Sequence, residues 1–189
     1  MKIKPSTEYV LLGILMIVPK HGYEIMQFIE TAMGSTWHVG TSQLYVLLKK
    51  LEHDGLLHSS LEIQDTRPAK RIFSITAKGK KLFLDWLQAP TEHVRDLRIE
   101  FLGKLFFFNR LSLKGGRDLV LAQISMLKRI EEKIKQKEKS EDDSFNKLVL
   151  GFKIATVEAW IKWLFREAGP FMNKGQDKIV SQKVHSSHL

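Results

Sequence analysis

Residues 42–71, SQLYVLLKKLEHDGLLHSSLEIQDTRPAKR, decide the fold of this chain. The first half has the leucine spacing of an amphipathic helix, and the second half has two short β-type runs joined by a basic turn that contains Pro68. A winged helix-turn-helix has the same order of parts, with one helix for the DNA major groove and a hairpin wing for the adjoining backbone. The sequence therefore predicts DNA binding.

The helix in this stretch is expected to begin at an N-cap at Thr41 or Ser42 and to end at Gly55. One face carries Leu44, Leu47, Leu48 and Leu51. The residues predicted to contact DNA from the other face and its flanks are Ser42, Gln43, Tyr45, Val46, Lys49 and Lys50. Gln43 can pair with adenine and Val46 can touch a thymine methyl group, whereas the lysine pair suits phosphate. The alternative is a solvated helix face with a cap at Ser42.

The predicted wing has strands over residues 56–63 and 70–75. Its cations, Arg67, Lys70 and Arg71, can follow the DNA backbone or enter the minor groove, although exposed turns also carry such residues for solubility alone. Lys20 and Tyr23 lie at the predicted start of the second helix, where free backbone amides favour a phosphate. Tyr23 is equally consistent with a core position that leaves its hydroxyl at the surface.

Three more helices complete the predicted N-terminal domain, residues 1–90. The first begins at Ser6, is apolar nearly all round and is therefore expected to be central; Pro19 and Gly22 end it. The second runs to Gly34, and the fourth follows the wing.

Residues 91–172 are predicted to form a dimerisation domain of long amphipathic helices without strands. Three such helices make only a thin bundle, so burial against a second copy is the expected solution. The residues expected at the dimer interface are Phe101, Leu105, Phe108, Phe145, Leu148, Val149, Phe152, Trp160 and Trp163. Phe152, Trp160 and Trp163 also suit a pocket for a planar effector, and the two roles can coexist. Residues 173–189 are polar and expected to be disordered.

Composition limits the classes of function. The 189 residues are 43% hydrophobic and 27% charged, and the formal net charge of +9 favours a polyanionic partner. Residues 1–90 hold 11 Lys and Arg against 8 Asp and Glu, and residues 91–189 hold 19 against 13, so net charge does not locate the binding face. The absence of cysteine excludes disulfides, thiol catalysis and cysteine-ligated zinc, and fits a reducing cytoplasm.

Membrane and enzyme functions are not expected. The apolar run at residues 10–18 has the length of a signal-peptide core, but no small-residue cleavage site follows it, and no apolar stretch approaches the roughly 20 residues that span a bilayer. The seven histidines lack metal-ligand spacing apart from a pair in the tail, and no phosphate-loop, nucleophile-elbow or dinucleotide pattern is present. We expect a cytoplasmic protein without a metal or cofactor.

Residues 8–88 together resemble the PadR family of bacterial winged-helix transcriptional regulators. The segments that carry the resemblance are LLGILMIVPKHGYEIMQFIE (11–30), Trp37, QLYVLLKKLEHDGLL (43–57) and RPAKRIFSITAKGKKLFLDWL (67–87). The later part, with RDLRIEFLGKLFF (95–107), resembles the virulence-activator type of C-terminal domain. Many relatives have Gly-Thr-Leu-Tyr-Pro where this chain has SQLYV (42–46), so base-reading residues are not carried across from the family there.

The resemblance implies a homodimer whose C-terminal helices exchange between subunits, and a dyad-symmetric operator bound by a repressor that a small molecule often releases. We therefore expect a mainly α, sequence-specific transcriptional regulator. Its expected partners are double-stranded DNA, a second copy of itself and an effector of unknown identity. Two recognition helices would enter successive major grooves about one helical turn apart. The alternatives are a protein-interaction adaptor and a small-molecule sensor built on a winged helix.

Overall fold

The computed structural model of the chain describes residues 6–34, 36–64 and 67–173, with the backbone alone at residues 6, 63–64 and 67–69. The chain divides into two compact units, Met1–Leu87 and Gln88–Leu189. Within the described ranges, every helix is too short or too polar to cross a membrane. Of the predicted tail, residue 173 continues a helix and the remaining residues lie outside the described part.

The first unit is a winged helix-turn-helix. Its elements are α1 (Ser6–Ile17), β1 (Lys20–His21), α2 (Gly22–Met33), α3 (Thr41–His53), β2 (Leu57–Gln64), β3 (Arg67–Ile75) and α4 (Ala77–Gln88). The strands form one antiparallel sheet in the order β1-β3-β2, with Lys20 opposite Phe73 and Leu57 opposite Ile75. Strands β2 and β3 are the wing. The predicted fold class, mainly α with a winged helix, is confirmed.

Helix α1 lies at the centre of this unit, as its all-round apolar sequence predicts. Its fully buried residues, each 0% exposed, are Val10, Leu11, Leu12 and Ile14. The four leucines on the inner face of α3 are also buried, which is the face that the sequence assigned to them. Burial of each leucine contributes about 1.5–3 kcal/mol, so α3 is held firmly by its inner face while its outer face remains free.

Two details of the first unit differ from the sequence prediction. Helix α3 starts at Thr41 after an N-cap at Gly40 and ends at His53, because Thr41 already has helical geometry; Gly55 lies beyond the helix with φ of 69°. Lys20, which was predicted at the start of the second helix, forms strand β1 together with His21. The backbone at His21 is extended, with φ of −71° and ψ of 156°, so it pairs with β3 before α2 begins.

The second unit is helical in every described element. A 3-10 turn (Val94–Asp96) and a π turn (Leu97–Phe101) precede α5 (Leu102–Arg110), α6 (Gly116–Lys139) and α7 (Ser144–Trp163), and a second π turn (Leu164–Ala168) follows. A Cβ atom at Gly116 would lie 2.5 Å from Met172 Sδ, and Gly115 has φ of 101°. The glycine pair at the start of α6 is therefore needed for its packing and its turn.

A buried polar network attaches residues 89–91 to α5 and α6. The backbone N–H of Thr91 donates to Gln123 Oε1 at 2.6 Å, and Gln123 Nε2 donates to the Thr91 carbonyl at 3.0 Å. Lys104 is 1% exposed; its Nζ donates to the Ala89 carbonyl at 2.8 Å and pairs with Glu100 at 2.8 Å. Burial lowers the pKa of the Lys104 ammonium, and Glu100 opposes that change.

The residues that the sequence placed at a dimer interface divide into three groups. Those at most 5% exposed are Phe101, Leu105 and Phe108. Those at least 68% exposed, all on α7, are Phe145, Leu148 and Phe152. Those half-buried on α7 are Val149, Trp160 and Trp163. The first group is a correction: these three side chains are already covered within a single chain and belong to its core rather than to an interface.

Candidate nucleic-acid interface

The outer face of α3 is exposed and mixes polar and apolar side chains. Every residue that the sequence predicted on this face is exposed: Ser42, Gln43, Tyr45, Val46, Lys49 and Lys50. Val46 is 66% exposed and Tyr45 is 48% exposed. The helix therefore offers amide, hydroxyl, apolar and cationic groups side by side, which are the groups that read base edges and phosphates.

The start of α2 lies against α3 through a close contact between Gly22 and Tyr45. A Cβ atom at Gly22 would lie 2.7 Å from the Tyr45 ring, so only glycine leaves the ring where it is. Tyr23, the next residue, is 73% exposed, which places it at the surface and not in the core. The amino end of α2 and the outer face of α3 thus form one continuous surface.

A groove with a volume of about 970 Å³ runs between α2, α3 and strand β3. Its lining residues are His21, Gly22, Tyr23, Glu24, Gln27, Tyr45, Lys49, Glu52, Lys70, Arg71 and Phe73. Five predicted DNA contacts, from α2, α3 and the wing, therefore border one groove. The sequence had placed them on three separate elements and gave no measure of their proximity.

The lysines and arginines of this surface differ in their partners. Among the described residues, Lys49 and Lys70 have no ion-pair partner, and both are exposed. Lys50 Nζ instead donates to Oε1 of Glu8 at 2.6 Å, and Glu8 is 1% exposed beneath it. The hydrogen bond and charge of Glu8 raise the pKa of Lys50. Among the described lysines and arginines that line the groove, Lys49 and Lys70 are therefore the two without a carboxylate partner.

Arg71 is paired in the same way. Its Nη2 donates to Glu52 Oε2 at 2.6 Å and its Nε donates to Ser59 Oγ at 2.7 Å. Ser59 Oγ in turn donates to Glu52 Oε1 at 2.5 Å. The Ser59 hydrogen bond, followed by the charge and hydrogen bond of Arg71, lowers the pKa of Glu52 against the opposing effect of burial.

The two remaining predicted contacts have different outcomes. Lys20 lies in β1 and not at the start of a helix, and its ammonium is 5.9 Å from the centre of the Phe28 ring. The side chain of Arg67 lies outside the described residues.

The sequence did not predict four residues that pair with or lie beside the predicted DNA contacts: Glu8, His21, Glu52 and Ser59. His21 Nδ1 is 3.1 Å from the Arg71 carbonyl, and its Nε2 is 3.4 Å from Glu62 Oε2. Each of these residues acts by pairing with a residue distant in sequence, and periodicity within one helix or strand carries no signal for such pairs. The one available signal was the presence of a carboxylate, Glu8, in an otherwise apolar helix.

The second unit has an aromatic groove of about 650 Å³ along α7. Its lining residues are Leu102, Phe152, Ala155, Thr156, Ala159, Trp160 and Trp163. The two tryptophan rings meet edge to face at 5.6 Å. The three residues that the sequence singled out for an effector pocket thus lie in one apolar groove, which is also the exposed face of α7.

Comparison with known proteins finds similarity to transcriptional regulators. Residues 11–84 match the model of the "Transcriptional regulator PadR-like family". The "Negative transcriptional regulator PadR" of Bacillus subtilis strain 168 is 33% identical over 120 residues, which are 62% of this chain and 64% of the relative. The match therefore spans slightly less than two thirds of that relative's length.

Solved structures are similar over more of the chain. The crystal structure of Bacillus subtilis PadR in complex with operator DNA has 25% identity and a TM-score of 0.48, and the match covers 90% of this chain and 99% of that one. The structure of the same protein in complex with p-coumaric acid has 25% identity and a TM-score of 0.41, covering 88% and 99%.

The fold and the exposed face of α3 define a winged helix-turn-helix protein. Through residues 11–84 the chain is similar to the PadR-like family of transcriptional regulators. The resemblance of the later residues to a virulence-activator type of C-terminal domain stays a prediction.

Proposed function

We propose that this chain is a sequence-specific DNA-binding transcriptional regulator that acts as a homodimer, as a repressor, on a dyad-symmetric operator in the cytoplasm. The observation that carries the proposal is the arrangement of exposed Lys49 and Lys70 on one groove, beside a helix whose Ser42, Gln43 and Val46 face outward. The relatives named as transcriptional regulators, one of them negative, support the same function and give no indication of an enzyme.

In this proposal residues 1–90 bind DNA and residues 91–172 dimerise. Gln43, Ser42 and Val46 read base edges, Tyr45 and Tyr23 border the groove, and the two free lysines bind phosphates. The exposed phenylalanines and leucine of α7 require a cover, and a second copy supplies one that also provides the second recognition helix a dyad-symmetric operator needs.

The test combines selection of bound fragments from random DNA with titrations at several salt concentrations. Because each phosphate contact releases counterions, Lys49→Ala and Lys70→Ala should each reduce the slope of log affinity against log salt by about 0.9. Lys80→Ala is the matched control: it removes the same charge from an exposed position on α4, outside the groove. No enriched sequence, or no retention of duplex DNA at physiological salt, would instead support the protein-interaction adaptor.

The aromatic groove on α7 favours a second role, the sensing of a planar aromatic molecule. Apolar walls with two tryptophans suit such a ligand. A panel of planar aromatic acids and amines should include one that raises the melting temperature and quenches tryptophan fluorescence, and Ala159→Leu should abolish both effects by filling the groove. If no compound stabilises the protein, this role is rejected while the DNA-binding proposal stands.

A further inference from the structure

Arg71 occupies a different environment from its neighbour Lys70, although both lie on the wing strand β3. Lys70 is exposed and, among the described residues, has no ion-pair partner. Two of the guanidinium nitrogens of Arg71 donate to Glu52 and Ser59, and its guanidinium carbon is 5.4 Å from the centre of the Phe73 ring. Adjacent cations of the wing therefore have separate chemical roles.

The Glu52–Ser59–Arg71 triad joins three elements. Glu52 belongs to α3, Ser59 to β2 and Arg71 to β3. Both carboxylate oxygens of Glu52 are used, one by Ser59 at 2.5 Å and the other by Arg71 at 2.6 Å. Because Ser59 both donates to Glu52 and accepts from Arg71, the three side chains form a closed ring of hydrogen bonds.

The backbone of Arg71 is held as well. His21 Nδ1 is 3.1 Å from the Arg71 carbonyl, and the backbone N–H of His21 donates to Glu24 at 2.8 Å. The wing strand is thereby connected to β1 and to the first turn of α2. A wing of two strands has little core of its own, so such contacts decide its orientation.

We propose that Arg71 is a positioning residue: it holds the wing at a fixed angle to the recognition helix through Glu52 and Ser59, an arrangement that we call the clamp. Among the described cations of the wing, it leaves phosphate binding to Lys70. The expected consequence, a fixed register between the wing contacts and the base contacts on DNA, rests on the proposed function. The clamp itself is a property of the free protein.

The fork geometry of arginine separates this role from a phosphate contact. A lysine at position 71 keeps the positive charge but cannot donate to Ser59 and Glu52 from two fixed nitrogens. A phosphate contact would tolerate Arg71→Lys, whereas the clamp would not. Removal of the Glu52 carboxylate also has opposite expected effects on DNA binding in the two cases. Glu52→Gln should free Arg71 and strengthen a phosphate contact, but it should weaken a clamp.

The first experiment is amide hydrogen exchange on the full-length free protein. Arg71→Lys, Arg71→Met and Glu52→Gln should each raise exchange rates in β2 and β3 by about tenfold or more, while α1 and α6 stay protected. Lys70→Met, one residue away, is the matched control and should leave the wing unchanged. Unchanged exchange in all three clamp variants would overturn the proposal.

The second experiment repeats the salt titrations on the selected DNA. Lys70→Met should reduce the slope of log affinity against log salt by about 0.9. Arg71→Lys and Arg71→Met should bind DNA more weakly but keep the wild-type slope. Glu52→Gln/Arg71→Met should bind no more weakly than Arg71→Met alone, because both changes open the same ring. Tighter binding by Glu52→Gln, or a slope lost in Arg71→Met, would overturn the proposal. If the wild-type protein binds no duplex, the proposed function fails, and exchange still decides whether Arg71 clamps the wing.

Discussion

The two units expose apolar side chains in different settings. In the first unit Tyr23 and Tyr45 are exposed on a groove that they share with lysines, and Val46 and Gln43 are exposed on the outer face of α3. In the second unit the exposed residues of α7, at 68–72% exposure, are Phe145, Leu148 and Phe152. A mixed surface of the first kind suits a partner with both bases and phosphates, whereas an apolar stripe of the second kind suits another protein surface. The difference is consistent with our proposal that the first unit binds DNA and the second unit binds a second copy.

The strongest way to break this comparison is to place a charge on the apolar stripe. We expect Phe152→Glu to abolish dimerisation, because the interface would have to bury an unpaired carboxylate, and to weaken operator binding by about 100-fold or more through loss of the second half-site. Sedimentation velocity and DNA titration measure the two effects.

Lys153→Glu is the control for that variant, since it also adds a carboxylate at an exposed position of α7, one residue further along. It should remain dimeric. A Phe152→Glu protein that sedimented as a dimer would show that this stripe is not the interface.

Two leucines sharpen the comparison further. Leu48 is 0% exposed in α3, and Leu148 is 70% exposed in α7. Leu48→Ala should lower the free energy of unfolding by about 2–5 kcal/mol, because it leaves a cavity in the first unit. Leu148→Ala should cost little in the single chain and should act on the dimer, so its effect on the melting temperature should be largest at high protein concentration and should shrink as the protein is diluted. Calorimetry over a range of concentrations distinguishes the two, and a concentration-independent loss in Leu148→Ala would contradict the assignment.

The sequence predicted more of the first unit than of the second, for a physical reason. The inner and outer faces of α3 follow from helical periodicity, which is local, and the structure confirms the buried leucines and the exposed polar side. The apolar stripe that runs from the π turn into α5 has a spacing similar to that of the stripe on α7, yet Phe101 and Leu105 are buried and Leu148 is exposed. Periodicity identifies an apolar face but does not say which partner covers it.

Local sequence patterns have the same limitation for the cations of α3 and the wing, because they do not identify the partner of each residue. The sequence does not distinguish the four cations Lys49, Lys50, Lys70 and Arg71 from one another. Only the folded chain brings Glu8 to Lys50 and Glu52 to Arg71. Those acids lie 42 and 19 residues from their partners. The sequence therefore identified the DNA-binding surface that we propose but did not separate its free cations from its paired ones.

A smaller effect tests how the first unit keeps its aromatic residues on the groove. Gly22→Ala would bring a Cβ atom to 2.7 Å from the Tyr45 ring, so the ring must move. The helical preference of alanine offsets up to about 1 kcal/mol of the strain, so stability should change little while DNA affinity falls several-fold, by about 1 kcal/mol of binding free energy.

Tyr45→Leu provides the check on that mechanism. If the ring mediates the loss, adding Gly22→Ala to Tyr45→Leu should have no further effect on affinity, because the displaced group is gone. Additive losses in the double variant would mean that Gly22 acts in another way, such as close approach of its backbone to DNA.

The smallest expected effect is a pH dependence that Glu52 gives to the first unit and that no residue of the α7 stripe can give. The Ser59 hydrogen bond and then Arg71 lower the pKa of Glu52 in the folded state below its ordinary value of 4.5. A carboxylate of this kind stabilises the fold fully above its unfolded pKa, and that contribution is lost as pH falls through the lower folded pKa. The free energy of unfolding of wild type should therefore exceed that of Glu52→Gln by about 1 kcal/mol at neutral pH, and the difference should shrink only below about pH 4.5. Urea titrations from neutral to acidic pH measure it, with Glu30→Gln, at an exposed position on α2, as the control. A difference that stayed constant down to the lowest pH would mean that Glu52 contributes by packing and not by its charge.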